Sequence, residues 1–236
     1  MRTKRFFISI FSIFWLFGLA QETSEQNVEV YTTASNEPRV DTATTKGAKY
    51  QPNFMVGIDV LHLGFSFFSD QKLYQGFVST RIKKRIYGIV DLGMESNLYD
   101  KNGYDFHADG FFGKLGVLYM ATPDPENFEN GFYVGGKLGA SFYNQEIKSI
   151  PIRWIEGRDS YASFPKASQS AYWVEAAIGG RIELLGTNVF LDVQVQPRYL
   201  IYSTKQENIR PMVVPGFGKG AGKFNLGFAW SVAYKF

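Results

Sequence analysis

The last 13 residues of this chain alternate strictly between large apolar side chains and small or polar ones. The apolar row consists of Phe224, Leu226, Phe228, Trp230, Val232, Tyr234 and Phe236. The opposite row consists of Asn225, Gly227, Ala229, Ser231, Ala233 and Lys235. A period of two predicts a β-strand with one apolar face. A strand of this length is unusual in a soluble protein, where about five or six residues are typical.

Six earlier segments show the same alternation, and a seventh, residues 54–67, is strand-like. The sequence therefore predicts eight strands, near residues 54–67, 73–83, 86–97, 104–120, 131–143, 170–184, 188–202 and 223–236. The first segment has no clear parity, because Asp59 lies on one row and His62 on the other. An even number of antiparallel strands can close into a barrel, which leaves no unpaired edge. The predicted fold is all-β, an eight-stranded antiparallel up-and-down barrel.

The connections between these segments differ in length at the two ends of the predicted barrel. At one end they are residues 84–85, 121–130 and 185–187, and at the other end 68–72, 98–103, 144–169 and 203–222. Outer-membrane barrels have short periplasmic turns and longer outer loops. A periplasmic N-terminus places the two longest connections outside the cell, in agreement with this rule.

The first 20 residues have the three parts of a secretory signal. Arg2, Lys4 and Arg5 are followed by 15 uncharged residues, 6–20, which end with Gly18-Leu19-Ala20. A membrane anchor is the alternative, but a spanning helix needs about 20 apolar residues. Residues 21–51 are rich in Thr, Ser and Glu, which predicts a flexible periplasmic segment with no packed core. Residues 52–236 are predicted to form the barrel.

Composition excludes several classes of function. The chain has no Cys, which excludes a disulfide scaffold, a thiolate zinc site, a Cys nucleophile and a lipoprotein anchor. Of its 25 basic residues, three lie in the signal, so 22 basic and 22 acidic residues remain in the exported chain. The net charge of the exported chain is therefore zero, and we expect no nucleic-acid partner.

The distribution of side chains over the two rows distinguishes a membrane barrel from a soluble one. A soluble barrel of the lipocalin type faces its apolar row inward, whereas a membrane barrel faces it outward. Here the second row mixes Gly, Ala and Ser with charges, which suits a narrow lumen better than a water-facing surface. Aromatic residues near strand ends predict the two interfacial girdles of a membrane barrel. These are Tyr87, Tyr119, Tyr133, Tyr172, Trp173, Tyr199, Tyr202 and Tyr234. The alternative is that they form the core of a soluble sandwich.

Charged residues of both signs fall on the predicted inward row. We expect them to form an ion-pair network that fills the lumen and leaves no open pore, because unpaired buried charges are costly. The predicted members are Arg81, Asp91, Glu95, Lys114, Lys137, Glu175, Arg181, Glu183, Asp192 and Arg198.

The C-terminal residues resemble the assembly signal of bacterial outer-membrane proteins. The resemblance is carried by Trp230, Val232, Tyr234 and the terminal Phe236. It implies that the barrel-assembly machinery and periplasmic chaperones are partners during biogenesis.

A second resemblance covers roughly residues 52–236. It is carried by Tyr172-Trp173-Val174-Glu175, by Gly179-Gly180-Arg181-Ile182-Glu183, by Val214-Pro215-Gly216-Phe217-Gly218 and by residues 230–236. In order and spacing these segments resemble an uncharacterised family of bacterial outer-membrane-type β-barrels, known only as a domain of unknown function. The family implies this fold and supplies no catalytic residues.

Candidate chemical motifs are few. The run Gly216–Gly222 imitates a nucleotide-binding fingerprint, but an alternating strand follows it where a helix is required. His62 and Ser66 lie in one strand-like segment, as in outer-membrane lipid hydrolases, yet no nucleophile elbow is present. His107 with Asp105 and Asp109 could bind a divalent cation, although an exposed polar strand end explains them more simply.

The connection 144–169 is more apolar than a solvated loop requires. It contains Trp154, Ile155, Tyr161 and Phe164, which either dock a partner or fold over the mouth of the barrel.

The sequence therefore predicts a small barrel in the outer membrane of a Gram-negative bacterium, surrounded by outer-membrane lipid. Its predicted role is structural, or binding and adhesion through its outer loops to an extracellular partner that the sequence does not identify. We expect no enzymatic activity, no cofactor and no metal. The alternatives are an outer-membrane lipid-modifying enzyme, a soluble periplasmic lipocalin-like binding barrel and a small channel.

Overall fold

The computed structural model describes residues 53–125, 127–152, 160–206, 209–220 and 222–236. The predicted signal, the predicted segment 21–51, Trp154 and Ile155 lie outside the described residues.

Eight antiparallel strands close into a barrel, as the sequence predicts. They are β1 (Phe54–Asp59), β2 (Gln71–Lys83), β3 (Ile86–Lys101), β4 (Tyr104–Pro123), β5 (Gly131–Ile152), β6 (Ser160–Glu183), β7 (Val189–Ser203) and β10 (Phe224–Lys235). Each strand pairs with its neighbour in sequence, and β1 pairs with β10 to close the ring. A two-stranded hairpin, β8 (Val213–Val214) and β9 (Gly218–Lys219), lies in the connection between β7 and β10.

The alternation in the sequence corresponds to two rows of side chains on each strand, one that faces outward and one that faces into the barrel. On β5, Phe132, Val134 and Leu138 are exposed, whereas Tyr133 and Lys137 between them are buried. The apolar row therefore faces outward, as predicted for a membrane barrel.

Small residues on the inner row make room for large ones. Gly139 on β5 faces Trp173 on β6, and a Cβ at Gly139 would overlap the indole ring. Because the lumen of an eight-stranded barrel is just wide enough to be filled by side chains, one large ring requires a glycine opposite.

The prediction of a first strand over residues 54–67 is correct as far as Asp59 and wrong beyond it. Strand β1 ends at Asp59, and a short helix, α1 (Val60–Ser66), follows. The Asp59 carboxylate accepts hydrogen bonds from the backbone N–H groups of Leu61 and His62, at 3.1 and 3.2 Å. Asp59 is therefore an N-cap, which ends the strand and begins the helix.

The predicted loop 144–169 is also wrong, because most of it is strand. Strand β5 continues to Ile152 and β6 starts at Ser160, so the two form a hairpin that extends well beyond the barrel rim. Strands β3 and β4 extend in the same direction and turn at Asn102 and Gly103, both with positive φ. We call residues 96–109, 143–152 and 160–170 the wall.

Part of the predicted loop 203–222 folds into the barrel. Its residues 213–219, which we call the plug hairpin, bury the side chains of Val214 and Phe217 completely. Gly216 has a φ of 77°, and a Cβ there would overlap the ring of Phe112. The tight turn that brings this backbone against β4 therefore requires glycine.

Candidate functional site: the sealed lumen and its outer mouth

One half of the lumen lies away from the wall, at the end that the sequence predicts to be periplasmic, and it is filled by an apolar cluster that we call the periplasmic cluster. Its members are Met55, Phe77, Tyr87, Ile89, Leu118, Met120, Tyr133, Ala177, Phe190 and Ala233. The turn between β4 and β5 covers its lower side. There the Tyr87 hydroxyl donates to the Phe128 carbonyl at 3.1 Å, and Glu129 is buried between Arg81 and Asn53 at 3.7 and 3.0 Å. This end of the barrel is closed by packing.

A charged layer lies above this cluster, centred on Glu175. Its Oε2 atom is 3.1 Å from Lys114 Nζ and 3.0 Å from Arg198 Nε. Lys137 Nζ is 2.6 Å from Asp91 Oδ2 and 4.0 Å from Glu175 Oε1. Five consecutive strands, β3 to β7, supply one charge each, so the network joins opposite sides of the barrel through its interior.

A second buried pair lies nearer the periplasmic cluster. Arg181 Nε donates to Asp192 Oδ2 at 2.7 Å, and the Tyr133 hydroxyl donates to Asp192 Oδ1 at 2.6 Å. Gln194 connects this pair to the charged layer, since it donates to Asp192 at 3.3 Å and accepts from Lys137 at 3.1 Å. Each buried carboxylate of the layer thus has a cation or several donors, as burial of charge requires.

Three predicted members of the network have other partners. Glu95 accepts from Gln71 and Asn97, both at 2.8 Å, and from the backbone N–H of Gly216 at 2.7 Å. Amide donors and the plug hairpin therefore replace the expected cation.

The other two lie at the periplasmic end, too far along their strands to reach the central layer. Arg81 pairs with Glu129, and Glu183 accepts from Asn127 while its backbone N–H donates to Asn130 at 2.8 Å. The sequence did not single out Glu129, because it lies in a turn where the two-residue period gives no inward or outward assignment.

The outer end of the lumen is filled by a second apolar cluster. Its members are Leu73, Phe112, Tyr143, Ala171, Trp173, Leu200, Val214 and Phe217. The plug hairpin is held there from two sides, since Arg198 Nη1 and Asn225 Nδ2 both donate to the Phe217 carbonyl, at 3.2 and 2.8 Å. Apolar packing therefore seals the charged layer above as well as below.

The outer surface carries an apolar belt with aromatic edges. Near the wall, ring contacts run from strand to strand: Phe111 to Phe142 at 5.7 Å, Phe142 to Tyr172 at 6.3 Å and Tyr172 to Tyr202 at 6.2 Å. We call these four residues the outer girdle. On β5 the belt runs from Phe132 to Phe142, which in a tilted strand spans about 25 Å, the height of the apolar band of a membrane barrel.

Three of the eight residues predicted to lie in the girdles do not lie there. Tyr87, Tyr133 and Trp173 are buried inside the lumen, each no more than 2 % exposed. They lie on the inner row of their strands, which the two-residue period already indicates. Aromatic character alone does not show which face a residue occupies.

The candidate hydrolase residues are close together but not arranged for nucleophilic catalysis. His62 Nδ1 is 2.6 Å from Asp59 Oδ2. The Ser66 hydroxyl, however, donates to the His62 carbonyl at 2.8 Å and accepts from the Leu73 N–H at 2.9 Å. Ser66 therefore serves the backbone, whereas a nucleophile would bond to the imidazole.

The second histidine lies on the outside of the wall. His107 Nε2 is 3.8 Å from Asp109 Oδ1, which is also 3.8 Å from Lys166 Nζ. Within the described ranges, no three His, Asp or Glu side chains gather in a way that could hold a metal ion. No helix in the described part of the chain has the length and apolar content to cross a membrane.

Of the predicted docking residues, the structure describes two. Tyr161 is 63 % exposed near the tip of the β5–β6 hairpin, and Phe164 is half-buried further down the same strand.

Three solved structures are similar to this chain. The attachment invasion locus protein Ail of Yersinia pestis has a TM-score of 0.41 and 10% identity, and the match covers 78% of this chain and 97% of Ail. The Neisserial surface protein A has a TM-score of 0.36 and 14% identity, and the match covers 78% of this chain and 94% of that protein. The N-terminal β-barrel domain of Pseudomonas aeruginosa OprF has a TM-score of 0.34 and 10% identity, and the match covers 78% of this chain and 97% of that domain. No curated protein matches the sequence. Residues 3–236 match a protein family described as a domain of unknown function, and the chain belongs to this family, DUF6048.

Proposed function

We propose that this chain is an integral outer-membrane protein of a Gram-negative bacterium, exported by its signal peptide, with a structural or adhesive role performed by the wall. One observation carries the proposal: an apolar belt with an aromatic edge surrounds a sealed, charged interior. Only lipid makes such an outer surface favourable, because each exposed apolar side chain on it costs free energy in water.

The filled lumen argues against transport through the barrel. Ions would have to pass the periplasmic cluster, the layer around Glu175 and the plug hairpin, all of which are packed. The same interior argues against a lipocalin-like role, since packed side chains fill the lumen where an apolar ligand would need an open apolar cavity.

The wall supports a role in binding. Just above the outer girdle its outward residues are polar, for example Ser96, Asn144 and Ser168, which suits a sheet that stands in water. Further from the girdle, Leu98 and Tyr161 are exposed apolar side chains that a partner could bury. The described strand residues reach Ile152 and Ser160, which lie ten and twelve positions beyond the girdle residues Phe142 and Tyr172. Sheet backbone holds this surface rigidly, which favours recognition of a partner with little loss of conformational entropy.

The first experiment compares unboiled and boiled protein on a gel, using protein from a washed outer-membrane fraction, with protease added to intact cells in parallel. A folded membrane barrel migrates faster unboiled than boiled, and we expect cleavage only within residues 144–169 or 203–222. Extraction without detergent and an unchanged migration would contradict the proposal.

A conductance measurement in planar bilayers separates the sealed barrel from a channel. We expect no conductance above the protein-free control, because the two apolar clusters block the lumen. A matched variant that lacks residues 213–219 serves as the comparison, since it removes the upper seal and leaves the lower one in place. Conductance in the unaltered protein would contradict the sealed lumen without affecting the membrane assignment.

A further inference from the structure

The barrel has a gap on one side, because β1 is too short to complete it. Strand β1 pairs with residues 231–235 of β10 and with residues 76–80 of β2. Among the described residues, no strand pairs with 224–230 of β10 or 71–75 of β2 on this side. We call the space between these two segments the seam.

The seam lies in the outer half of the apolar belt. Its lower end is at Asp59, which is opposite Ser231 in the middle of β10, and its upper end is at Phe224, which pairs with Tyr199 near the girdle. In the orientation of the proposed function, this is the outer leaflet. Unpaired strand edges at this depth are costly unless something satisfies or covers them.

Helix α1 occupies the seam but does not replace a strand. It contacts both β2 and β10. The Ser66 hydroxyl accepts the Leu73 N–H, which gives β2 one of the hydrogen bonds that a neighbouring strand would supply. Phe65, Phe67 and Phe68 are exposed around the C-terminal end of α1, as suits a helix in contact with lipid.

A cavity of about 820 Å³ extends from the seam to the mouth of the barrel, a volume in the range of small-molecule sites. One part of its lining is apolar and includes Leu61, Phe65, Leu98, Phe106, Leu226 and Phe228. The other part is polar and includes His62, Gln71, Asn97, Lys101 and Lys219, together with the carboxylates Asp70 and Glu95. Val213, Gly218 and Lys219 of the plug hairpin also line it.

We propose that the seam admits an acyl chain of an outer-leaflet lipid into this cavity, with the polar head held at the mouth. The apolar lining, which starts at lipid-facing Leu226 and Phe228, accepts the chain, and Lys219 with the polar groups near the rim faces the phosphate of the head. Lys101 is 3.8 Å from Asp70 and Glu95 is occupied by amide donors, so neither carboxylate repels the head strongly. The proposal rests on the membrane assignment made above.

Photolabelling tests this directly. The full-length exported protein is reconstituted in phosphatidylcholine vesicles that contain a phosphatidylcholine with a diazirine in the middle of one acyl chain. After irradiation, labelled residues are mapped by mass spectrometry. We expect labels on the lipid-facing row and also on Val213 and Leu73, which line the cavity and lie off the lipid-facing row.

Two variants block the route. Gln75→Trp on β2 and Leu61→Trp on α1 both place an indole in the cavity, and Leu138→Trp on the opposite lipid-facing side is the matched control. Each blocking variant should lose the labels on Val213 and Leu73 but keep those on the outer row, whereas the control should lose none.

Labels confined to the outer row of the unaltered protein would overturn the proposal, and so would inner labels that persist in both blocking variants. Heat-modified migration of the same samples reports separately on the barrel. If migration does not change on boiling, the result contradicts the membrane assignment. If migration changes but no inner residue is labelled, the result contradicts only the lipid site.

Discussion

Strands β3 to β6 pass through two environments without a break in hydrogen bonding. Below the outer girdle their outward residues are apolar, such as Leu115 and Leu138. Above it they are mostly polar, such as His107 and Asn144, while inner-row residues such as Gln145 and Ile147 stay buried. Under the proposed function, the outward row alone therefore distinguishes the part of the sheet in lipid from the part in water.

Charges behave differently in the two regions. The Glu175 carboxylate is fully buried between three cations, whereas Asp109 on the wall is 40 % exposed and 3.8 Å from its two partners. The difference predicts a strong effect for charge removal at membrane depth and a weak one above it.

The largest effect is expected for Glu175→Gln. Lys114, Lys137 and Arg198 would lose their shared carboxylate, and breaking a buried pair by removing one partner costs about 3–5 kcal/mol. Urea unfolding of the protein in vesicles measures this free energy. The matched change on the wall, Asp109→Asn, should cost about 1 kcal/mol or less. Equal costs at the two sites would contradict the comparison.

The next largest loss of stability is expected when a charge is added to the outward row. Leu138→Arg places a guanidinium at mid-belt, which costs about 2–4 kcal/mol. Asn144→Arg, on the same row of β5 but above Phe142, should cost about 0–1 kcal/mol because water surrounds it. The same unfolding assay compares them, and a cost at Asn144 as large as that at Leu138 would place the wall in lipid.

The smallest effect is expected at the seam. Ser66→Ala leaves the buried Leu73 N–H without its acceptor, which costs about 1–3 kcal/mol. The exposed Ser69 provides the control, since its hydroxyl bonds only to the Gln71 carbonyl in water. If Ser69→Ala is as costly as Ser66→Ala, the helix does not substitute for strand pairing in the way described.

The eight strands were predictable because a two-residue period survives wherever one row faces lipid. The wall was not, because beyond Phe142 both rows of β5 carry polar residues, as at Asn144 and Gln145, and the hydrophobic alternation fades. Helix α1 was missed for a local reason. The segment after Asp59 is apolar on both rows, and the cap that ends the strand is a single side chain.

The members of the lumen network were predictable from parity, but their partners were not. Whether Glu175 meets Lys114 or Lys137 depends on strand register and side-chain reach across the barrel, which no single strand contains. Glu95 shows this most clearly, because its partner Gly216 comes from a hairpin 121 residues away.

The most direct test follows the outward row of β5 from lipid into water. The chain has no cysteine, so single cysteines at Val134, Leu138, Phe142 and Glu146 can each carry a nitroxide label in reconstituted vesicles. We expect oxygen to reach the first two labels better than a water-soluble nickel complex does, with the order reversed at Glu146 and the crossover near Phe142. Preferential access of the nickel complex at Val134 and Leu138 would contradict the membrane belt and the account built on it.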